Sequence, residues 1–81
     1  MSATVRYNIV AKSLKDTFHL LAYSLKYIQG KKISVGPFDD RMLSRLYIWI
    51  RGNRDEVDQV LEDLKETKIE FVTVPYKTRE R

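Results

Sequence analysis

The fold is decided by residues 33–51, whose sequence is Ile-Ser-Val-Gly-Pro-Phe-Asp-Asp-Arg-Met-Leu-Ser-Arg-Leu-Tyr-Ile-Trp-Ile-Arg. Two runs rich in β-branched and aromatic residues flank a segment that begins at Gly36-Pro37 and contains Asp39-Asp40. Turn-forming residues between two extended runs are typical of a β-hairpin. We therefore predict one strand over residues 31–37 and an antiparallel partner over residues 43–51.

The second run of this hairpin alternates between two kinds of side chain. Successive strand residues point to opposite faces of a sheet, so the run has two distinct faces. Aliphatic residues form the first face, which consists of Leu46, Ile48 and Ile50. Aromatic and basic residues form the second face, which consists of Tyr47, Trp49 and Arg51. The aliphatic face suits a packed helix, whereas the other face needs a partner or a ligand.

Length and composition indicate one small globular domain. A chain of 81 residues buries about 60–65% of the surface that its unfolded form exposes, so its stability margin is small. Association with another chain would increase that margin. The sequence contains no cysteine, which excludes disulfides, thiolate nucleophiles and zinc sites built on sulfur. It also contains no apolar run of about 18 residues and no signal-peptide pattern. We therefore expect a cytoplasmic protein that does not associate with a membrane.

The formal charge of +4 is spread unevenly along the chain. Residues 77–81 contain three basic residues and one acidic residue, so half of the net charge lies there. We expect a single domain over residues 1–76, followed by a charged, disordered tail. The mixed charges of the body are typical of a solvated surface, whereas phosphate-backbone binding usually draws on a more concentrated basic patch.

The residues before the hairpin predict a strand and then a helix. Alternation over residues 4–12 predicts the strand. Ser13 and Asp16 have the spacing of a capping box, which predicts the start of the helix, and Gly30 predicts its end. The predicted buried stripe of this helix consists of Phe18, Leu21, Ala22, Leu25 and Ile28.

The residues after the hairpin repeat the helix and strand. Asn53, followed by Glu56, predicts the start of a second helix. Its predicted core stripe consists of Val57, Val60, Leu61 and Leu64. Residues 69–76 are the last predicted strand, and Pro75 assigns this strand to a sheet edge because proline cannot donate a ladder hydrogen bond.

The resulting order is β-α-β-β-α-β, which predicts an α+β protein with a ferredoxin-like, four-stranded antiparallel sheet. This topology places the first and third strands at the centre and both helices on one face. Tyr47 and Trp49 are then expected on the face that the helices leave open.

Catalytic chemistry has little support in the sequence. His19 is the only histidine, and it lies next to the predicted helix stripe without a Ser or Cys pattern nearby. The Asp39-Asp40 pair could serve acid-base chemistry or bind a hard cation, but Asp is also favoured in turns, and we predict a turn. The sequence has no Gly-rich phosphate loop and no His/Glu metal spacing. We expect a non-catalytic chain without a cofactor or a metal.

The aromatic residues of the central strands support two interpretations. Ferredoxin-like RNA-binding domains stack bases on aromatic residues of their central strands, which would use Tyr47 and Trp49. However, Tyr7 falls on the face of Val5 and Ile9, and the third strand lacks the Gly and Phe pattern of RNA-binding domains. Open aromatic faces more often bind proteins, and we predict a protein interface.

A family resemblance sharpens this prediction. Residues 35–48, Val-Gly-Pro-Phe-Asp-Asp-Arg-Met-Leu-Ser-Arg-Leu-Tyr-Ile, resemble the "TVGPTDDPxLSRMTI" stretch in the ACT domain of the acetolactate synthase (acetohydroxyacid synthase) small regulatory subunit. The similarity continues through Gly52, Val60 and Leu64 to Phe71-Val-Thr-Val74. It covers residues 33–76.

The resemblance implies a regulatory subunit that forms a homo-oligomer, expected to be a dimer, and modulates a thiamine-diphosphate-dependent catalytic subunit of branched-chain amino-acid synthesis. It implies edge-to-edge pairing and an amino-acid effector, valine, leucine or isoleucine, held between copies. The effector residues that it suggests are Lys12, Ser13, Leu14, Gln29 and Gly30. The predicted interface residues are Ile33 and Val35, which the resemblance implies, and Tyr47, Trp49 and Arg51, which strand alternation places on the open face.

Two other functions stay open from the sequence. The chain could be a stand-alone ACT-like sensor of another small ligand. In a thermal-shift screen of the twenty amino acids, a response to valine, leucine or isoleucine favours the acetolactate synthase assignment, and no response to any of them indicates a purely structural subunit. It could also be a single-stranded nucleic-acid-binding domain, which predicts salt-sensitive binding of oligonucleotides.

Overall fold

The structure is a computed structural model, and it describes residues 3–42 and 44–76. The elements are β1 (Thr4–Ala11), α1 (Leu14–Tyr27), β2 (Ile33–Asp40), β3 (Arg45–Asn53), α2 (Arg54–Lys65) and β4 (Phe71–Pro75). This order confirms the predicted β-α-β-β-α-β arrangement. The predicted tail over residues 77–81 lies outside the described residues.

The four strands form one antiparallel sheet in the order β2-β3-β1-β4. The first and third strands are therefore central, as predicted, and the chain has a ferredoxin-like α+β fold. Pro75 lies on the edge strand β4, opposite Tyr7. Tyr76 donates its N–H to the carbonyl of Arg6 at 3.0 Å. Because hydrogen-bonded pairs alternate along an antiparallel ladder, the nitrogen of Pro75 points outward, where no donor is needed.

Both helices pack on one face of the sheet and enclose the hydrophobic core. The buried core residues are Ile9, Ala11, Leu20, Ile33, Ile48, Ile50, Val57, Val60 and Leu64. Three of the four predicted α2 positions are fully buried, and Leu61 is half-buried against the same core. Burial of each such aliphatic side chain contributes about 1.5–3 kcal/mol before the entropy of folding is subtracted.

Local signals fix the helix ends at the predicted places. The hydroxyl of Ser13 accepts from the N–H of Asp16 at 3.1 Å. Asn53 Oδ1 accepts from the N–H groups of Asp55 at 2.9 Å and Glu56 at 3.4 Å. Both caps satisfy amide groups that have no partner inside the helix. Gly30, with φ of +79°, provides the left-handed residue after α1.

The hairpin differs from the prediction in the position of its turn. Gly36-Pro37 lies inside β2, which extends to Asp40, and β3 begins at Arg45. The turn covers the residues between them, where Asp40 Oδ1 accepts from the N–H of Met42 at 3.1 Å and Ser44 has φ of +50°. Leu43, where the third strand was predicted to begin, lies outside the described residues. The last strand is also shorter than predicted.

A proline can lie inside β2 because β2 is an edge strand. Pro37 pairs with Ile48 at a position of the ladder that carries no hydrogen bond to β3, so its nitrogen faces the free edge. Pro37 therefore removes one donor from the free edge, and the Gly-Pro sequence does not end the strand.

The buried stripe predicted for α1 is wrong in part. Phe18 is 53% exposed and Leu25 is 49% exposed, and Ala22 is also exposed. Leu21 and Ile28 are half-buried against the core. The residues of α1 that are buried beneath the helix are Thr17, Leu20 and Ser24.

Two of these buried residues are polar, which is why the hydrophobic pattern predicts a different buried face of α1. Thr17 donates its hydroxyl to the carbonyl of Ser13 at 3.1 Å, and Ser24 donates to the carbonyl of Leu20 at 2.7 Å. Because both hydroxyls form hydrogen bonds within the helix, burying them costs little free energy. The helix can therefore turn its small polar residues to the sheet and leave larger apolar residues outside.

Candidate functional site

The sheet face opposite the helices forms a continuous surface across all four strands. We call it the open face. Its side chains are Arg6, Asn8, Val10, Ser34, Phe38, Tyr47, Trp49, Arg51, Val72, Val74 and Tyr76. The pairs Asn8 with Trp49 and Phe38 with Tyr47 place these residues on one side, because directly opposed strand residues share a face.

An apolar band crosses the open face near the end where β1 ends and β4 begins. The Phe38 and Tyr47 rings stack with centroids 5.9 Å apart and planes 16° apart. Val10 pairs with Val72, which is 60% exposed, and Val74 is exposed next to it. Exposed apolar patches that are rimmed by polar residues are typical of interaction sites.

Trp49 is held in one position on this face by a close approach to β2. A Cβ atom on Gly36 would lie 2.7 Å from the Trp49 ring, which real contacts do not allow. Only glycine therefore lets the indole lie against the backbone of its paired residue. The aromatic surface is pre-organised by this contact.

Arg6 lies between two aromatic rings at one end of the open face. Its guanidinium carbon is 4.0 Å from the Tyr76 ring centroid and 5.5 Å from the Trp49 ring centroid. These distances are those of cation–π contacts. Arg6 Nε is buried without a hydrogen-bond partner, and so is Asn8 Oδ1 in the centre of the face.

The exposed side of α1 forms a second apolar surface, the α1 stripe. It consists of Leu14, Phe18 and Leu25. Their spacing of four and seven residues places them on one side of the helix, about 100° around the axis from the buried residues. A right-handed β1-α1-β2 crossover places this side next to the free edge of β2 and away from α2. An unpaired strand and an apolar stripe thus lie side by side.

The predicted interface residues fall on two different surfaces. Ile33 and Val35 lie in β2, where Ile33 is buried and Val35 is half-buried, and their backbone groups face the free edge. Tyr47 and Trp49 are half-buried on the open face, and Arg51 is exposed there.

The predicted effector residues lie at opposite ends of the protomer. Lys12, Ser13 and Leu14 line a small cleft of about 190 Å³ before α1, together with Ser44 and other residues at the start of β3. Gln29 and Gly30 follow the far end of α1. The 14 residues of α1 span about 21 Å. One protomer therefore does not bring the two groups together.

Lys12 has a partner next to this cleft. Its ammonium forms an exposed ion pair with Glu70. The hydrogen bond and the charge of Glu70 raise the pKa of Lys12, and Lys12 lowers the pKa of Glu70 in turn. Both side chains are largely exposed, so solvent screens the interaction.

The other residues that were considered for catalysis or metal binding do not come together in one site. His19 is exposed on the outer side of α1. The predicted turn position of Asp39-Asp40 is wrong, because both residues pair with β3 at the end of β2, although Asp40 Oδ1 accepts from the N–H of Met42 in the turn that follows. In the described ranges, residues 3–42 and 44–76, no three acidic or histidine side chains come together as a metal site would require. None of the helices in those ranges has the length and hydropathy to span a bilayer.

The contacts of three open-face residues, Arg6, Phe38 and Tyr76, are not predicted from the sequence. Arg6 and Tyr76 could have been found only from the register that pairs them across β1 and β4. Phe38 was assigned to a turn because Gly36-Pro37 precedes it. Alternation over residues 4–12 did place Arg6 and Asn8 on one face, but it did not predict their neighbours.

Comparison of the chain with protein-family models, with curated proteins and with solved structures gives no match.

Proposed function

We propose that this chain is a non-catalytic regulatory domain that pairs with a second copy through the β2 edge and the α1 stripe. By its resemblance to the acetolactate synthase small subunit, its target is a thiamine-diphosphate-dependent catalytic subunit in the cytoplasm. The resemblance over residues 33–76 supports the identity of the target. The α1 stripe is the observation that carries the pairing.

The α1 stripe supports pairing because it would otherwise face water. Leu14 is 59% exposed, and it lies in line with Phe18 and Leu25. Each such side chain contributes about 1.5–3 kcal/mol when it is fully removed from water. The neighbouring β2 edge offers unpaired backbone groups, and free edges of this kind pair readily with another strand. A second copy satisfies both surfaces at once.

A two-fold axis gives this pairing a definite geometry. An isologous contact places the β2 strands of the two copies side by side and antiparallel, and it brings the two α1 stripes together. Pro37 lacks a donor on the free edge, so the ladder between the copies relies on other residues such as Ile33 and Val35. The product is an eight-stranded sheet with four helices on one face.

The same geometry explains how an effector site could be completed. Two antiparallel α1 helices bring the first turn of one copy, with Lys12, Ser13 and Leu14, next to Gln29 and Gly30 of the other. Groups that are about 21 Å apart in one protomer become neighbours in the pair. We propose that a branched-chain amino acid, valine, leucine or isoleucine, binds there.

Matched variants of α1 test the pairing. Phe18→Asp puts a charge into the α1 stripe, and His19→Asp puts the same charge on the adjacent, exposed outer side of the helix. Size-exclusion chromatography with light scattering should show monomers for Phe18→Asp and dimers for His19→Asp and the parent chain. Equal elution of both variants as dimers contradicts the role of the stripe.

A thermal-shift screen tests the effector and the target class. A ligand that binds only the folded pair raises the melting temperature, by an amount that grows with ligand concentration. We expect valine, leucine or isoleucine to raise it in the parent chain and not in Phe18→Asp. A response to an unrelated compound alone favours the stand-alone sensor.

The proposed target is tested by mixing the chain with an acetolactate synthase catalytic subunit and measuring enzyme activity. No change in activity on mixing contradicts the proposed target.

A further inference from the structure

Three arginines surround a cleft at one end of the sheet. The cleft has a volume of about 820 Å³ and lies where β4 ends and the first residues of β1 continue beyond it. Arg6, Arg51 and Arg54 line it, together with Tyr76 and Thr4. The cleft includes one corner of the open face, and it lies at the opposite end of β1 from Lys12.

The arginines repel one another within the protomer. Arg6 and Arg51 are direct partners in the ladder between the two central strands. Like charges in directly opposed positions destabilise a sheet. The ion pairs in residues 3–42 and 44–76 join Lys12 to Glu70 and Lys65 to Glu62, and neither involves these arginines. Three positive charges therefore lie close together at this end of the sheet.

The guanidinium of Arg6 is already oriented. Its contacts with Tyr76 and Trp49 restrict the plane of the group, and its Nε is buried without a hydrogen-bond acceptor. A restricted guanidinium loses less entropy when it binds a ligand, and its planar fork of donors matches the oxygens of a phosphate.

We propose that Arg6, Arg51 and Arg54 bind a phosphate group. A phosphate can accept hydrogen bonds from two guanidinium groups at once and carries enough charge to relieve the repulsion between Arg6 and Arg51. The adjacent rings suit a flat group such as a nucleobase. The phosphate could belong to a small molecule or to a single-stranded nucleic acid, and both present the same chemistry to the cleft.

The binding can be measured through Trp49, which is the only tryptophan in the chain. We would titrate the protein at low salt with pyrophosphate, with adenosine monophosphate and with a single-stranded oligonucleotide, and follow the fluorescence. A saturable change is expected because the ligand meets Arg6, which contacts the indole. Arg51→Gln and Arg54→Gln should each weaken binding at least tenfold, whereas Lys15→Gln, which removes one charge at the start of α1, should change it less than twofold.

The two sources of phosphate give different results. An oligonucleotide that binds much more tightly than pyrophosphate, with a steep loss of affinity as salt increases, identifies a nucleic acid as the ligand. Comparable affinities for pyrophosphate and the oligonucleotide identify a small phosphorylated molecule. Circular dichroism checks the fold of each variant, and Arg51→Gln and Arg54→Gln leave the stacked Arg6 in place.

The proposal is overturned if none of the phosphate ligands binds at millimolar concentration, or if binding persists in Arg51→Gln and Arg54→Gln. A polyglutamate peptide that binds as tightly as pyrophosphate would also overturn it, because a general anion preference would replace a phosphate site. Oligomeric state, measured in the same samples, reports on the proposed pairing separately, since the cleft and the α1 stripe share no residue.

Discussion

The two helices pack on the same face of one sheet, yet their apolar side chains end in different places. Along α2, Val57, Val60 and Leu64 are fully buried. Along α1, Phe18 and Leu25 are about half exposed, while the small polar residues Thr17 and Ser24 are buried. The α2 helix therefore buries nearly all of its apolar stripe within the chain. The α1 helix buries only part of its apolar surface, and the exposed α1 stripe lies beside the free edge of β2.

Truncation of one leucine in each helix should give the largest difference in stability between α2 and α1. Leu64→Ala should lower the free energy of unfolding by about 2–5 kcal/mol because it leaves a cavity in the core. Leu25→Ala should hardly change the unfolding of the separated protomer, but it should weaken the pair. Urea denaturation at several protein concentrations separates the two effects, and a core-sized loss for Leu25→Ala at the lowest concentration would show that this residue stabilises the protomer itself.

A smaller effect is expected on the opposite side of the sheet. Gly36→Ala puts a methyl group 2.7 Å from the Trp49 ring, so the indole must move. Overpacking of this kind lowers the free energy of unfolding by about 1–3 kcal/mol. The emission maximum of Trp49 should shift to longer wavelength as the ring enters solvent. Ser34→Ala, which replaces an exposed residue of the same strand, is the control and should leave the spectrum unchanged.

Removal of the helix caps should change the free energy of unfolding by less than removal of the buried leucine does. Ser13→Ala and Asn53→Ala each remove a side-chain acceptor of helix N–H groups. Each should lower the free energy of unfolding by about 0.5–2 kcal/mol. Asn53→Ala should have the larger effect, because Asn53 accepts from two amides and Ser13 from one. The reverse order in thermal denaturation would contradict this assignment.

The smallest effect should come from the exposed pair of Lys12 and Glu70. The pKa of Glu70 is lowered in the folded chain, so the pair's contribution is present above the ordinary carboxyl pKa and is lost as pH falls through the lowered value. The pKa of Lys12 is raised, so the contribution is also lost as pH rises through that raised value. Glu70→Gln should flatten the acid side of the stability curve at low salt, and high salt should remove this difference from the parent chain because both side chains are exposed.

Much of the fold could be predicted because its signals are local. Asn53 and Ser13 mark helix starts by their own hydrogen bonds, and the alternation from Leu46 to Arg51 separates the two faces of β3. The phase of α1 could not be predicted, because hydrophobicity alone does not show that Thr17 and Ser24 satisfy their hydroxyls within the helix.

The candidate surfaces were predicted only in part for a similar reason. Alternation identified Tyr47 and Trp49 on the open face, which the paired strands place together with Phe38. The meeting of Arg6 with Arg51 and Tyr76 depends on the register of three strands, and no local pattern carries that information. Contacts between distant segments therefore mark the limit of what this sequence predicts.

Sedimentation equilibrium of the parent chain tests most directly whether α1 needs a second copy. The polypeptide has a mass of 9.6 kDa. We predict twice that mass at micromolar concentration, and a return to the single-chain mass when Asp replaces Leu25. A parent chain that sediments as a single polypeptide even at high concentration, with its α1 stripe in water, would contradict the account.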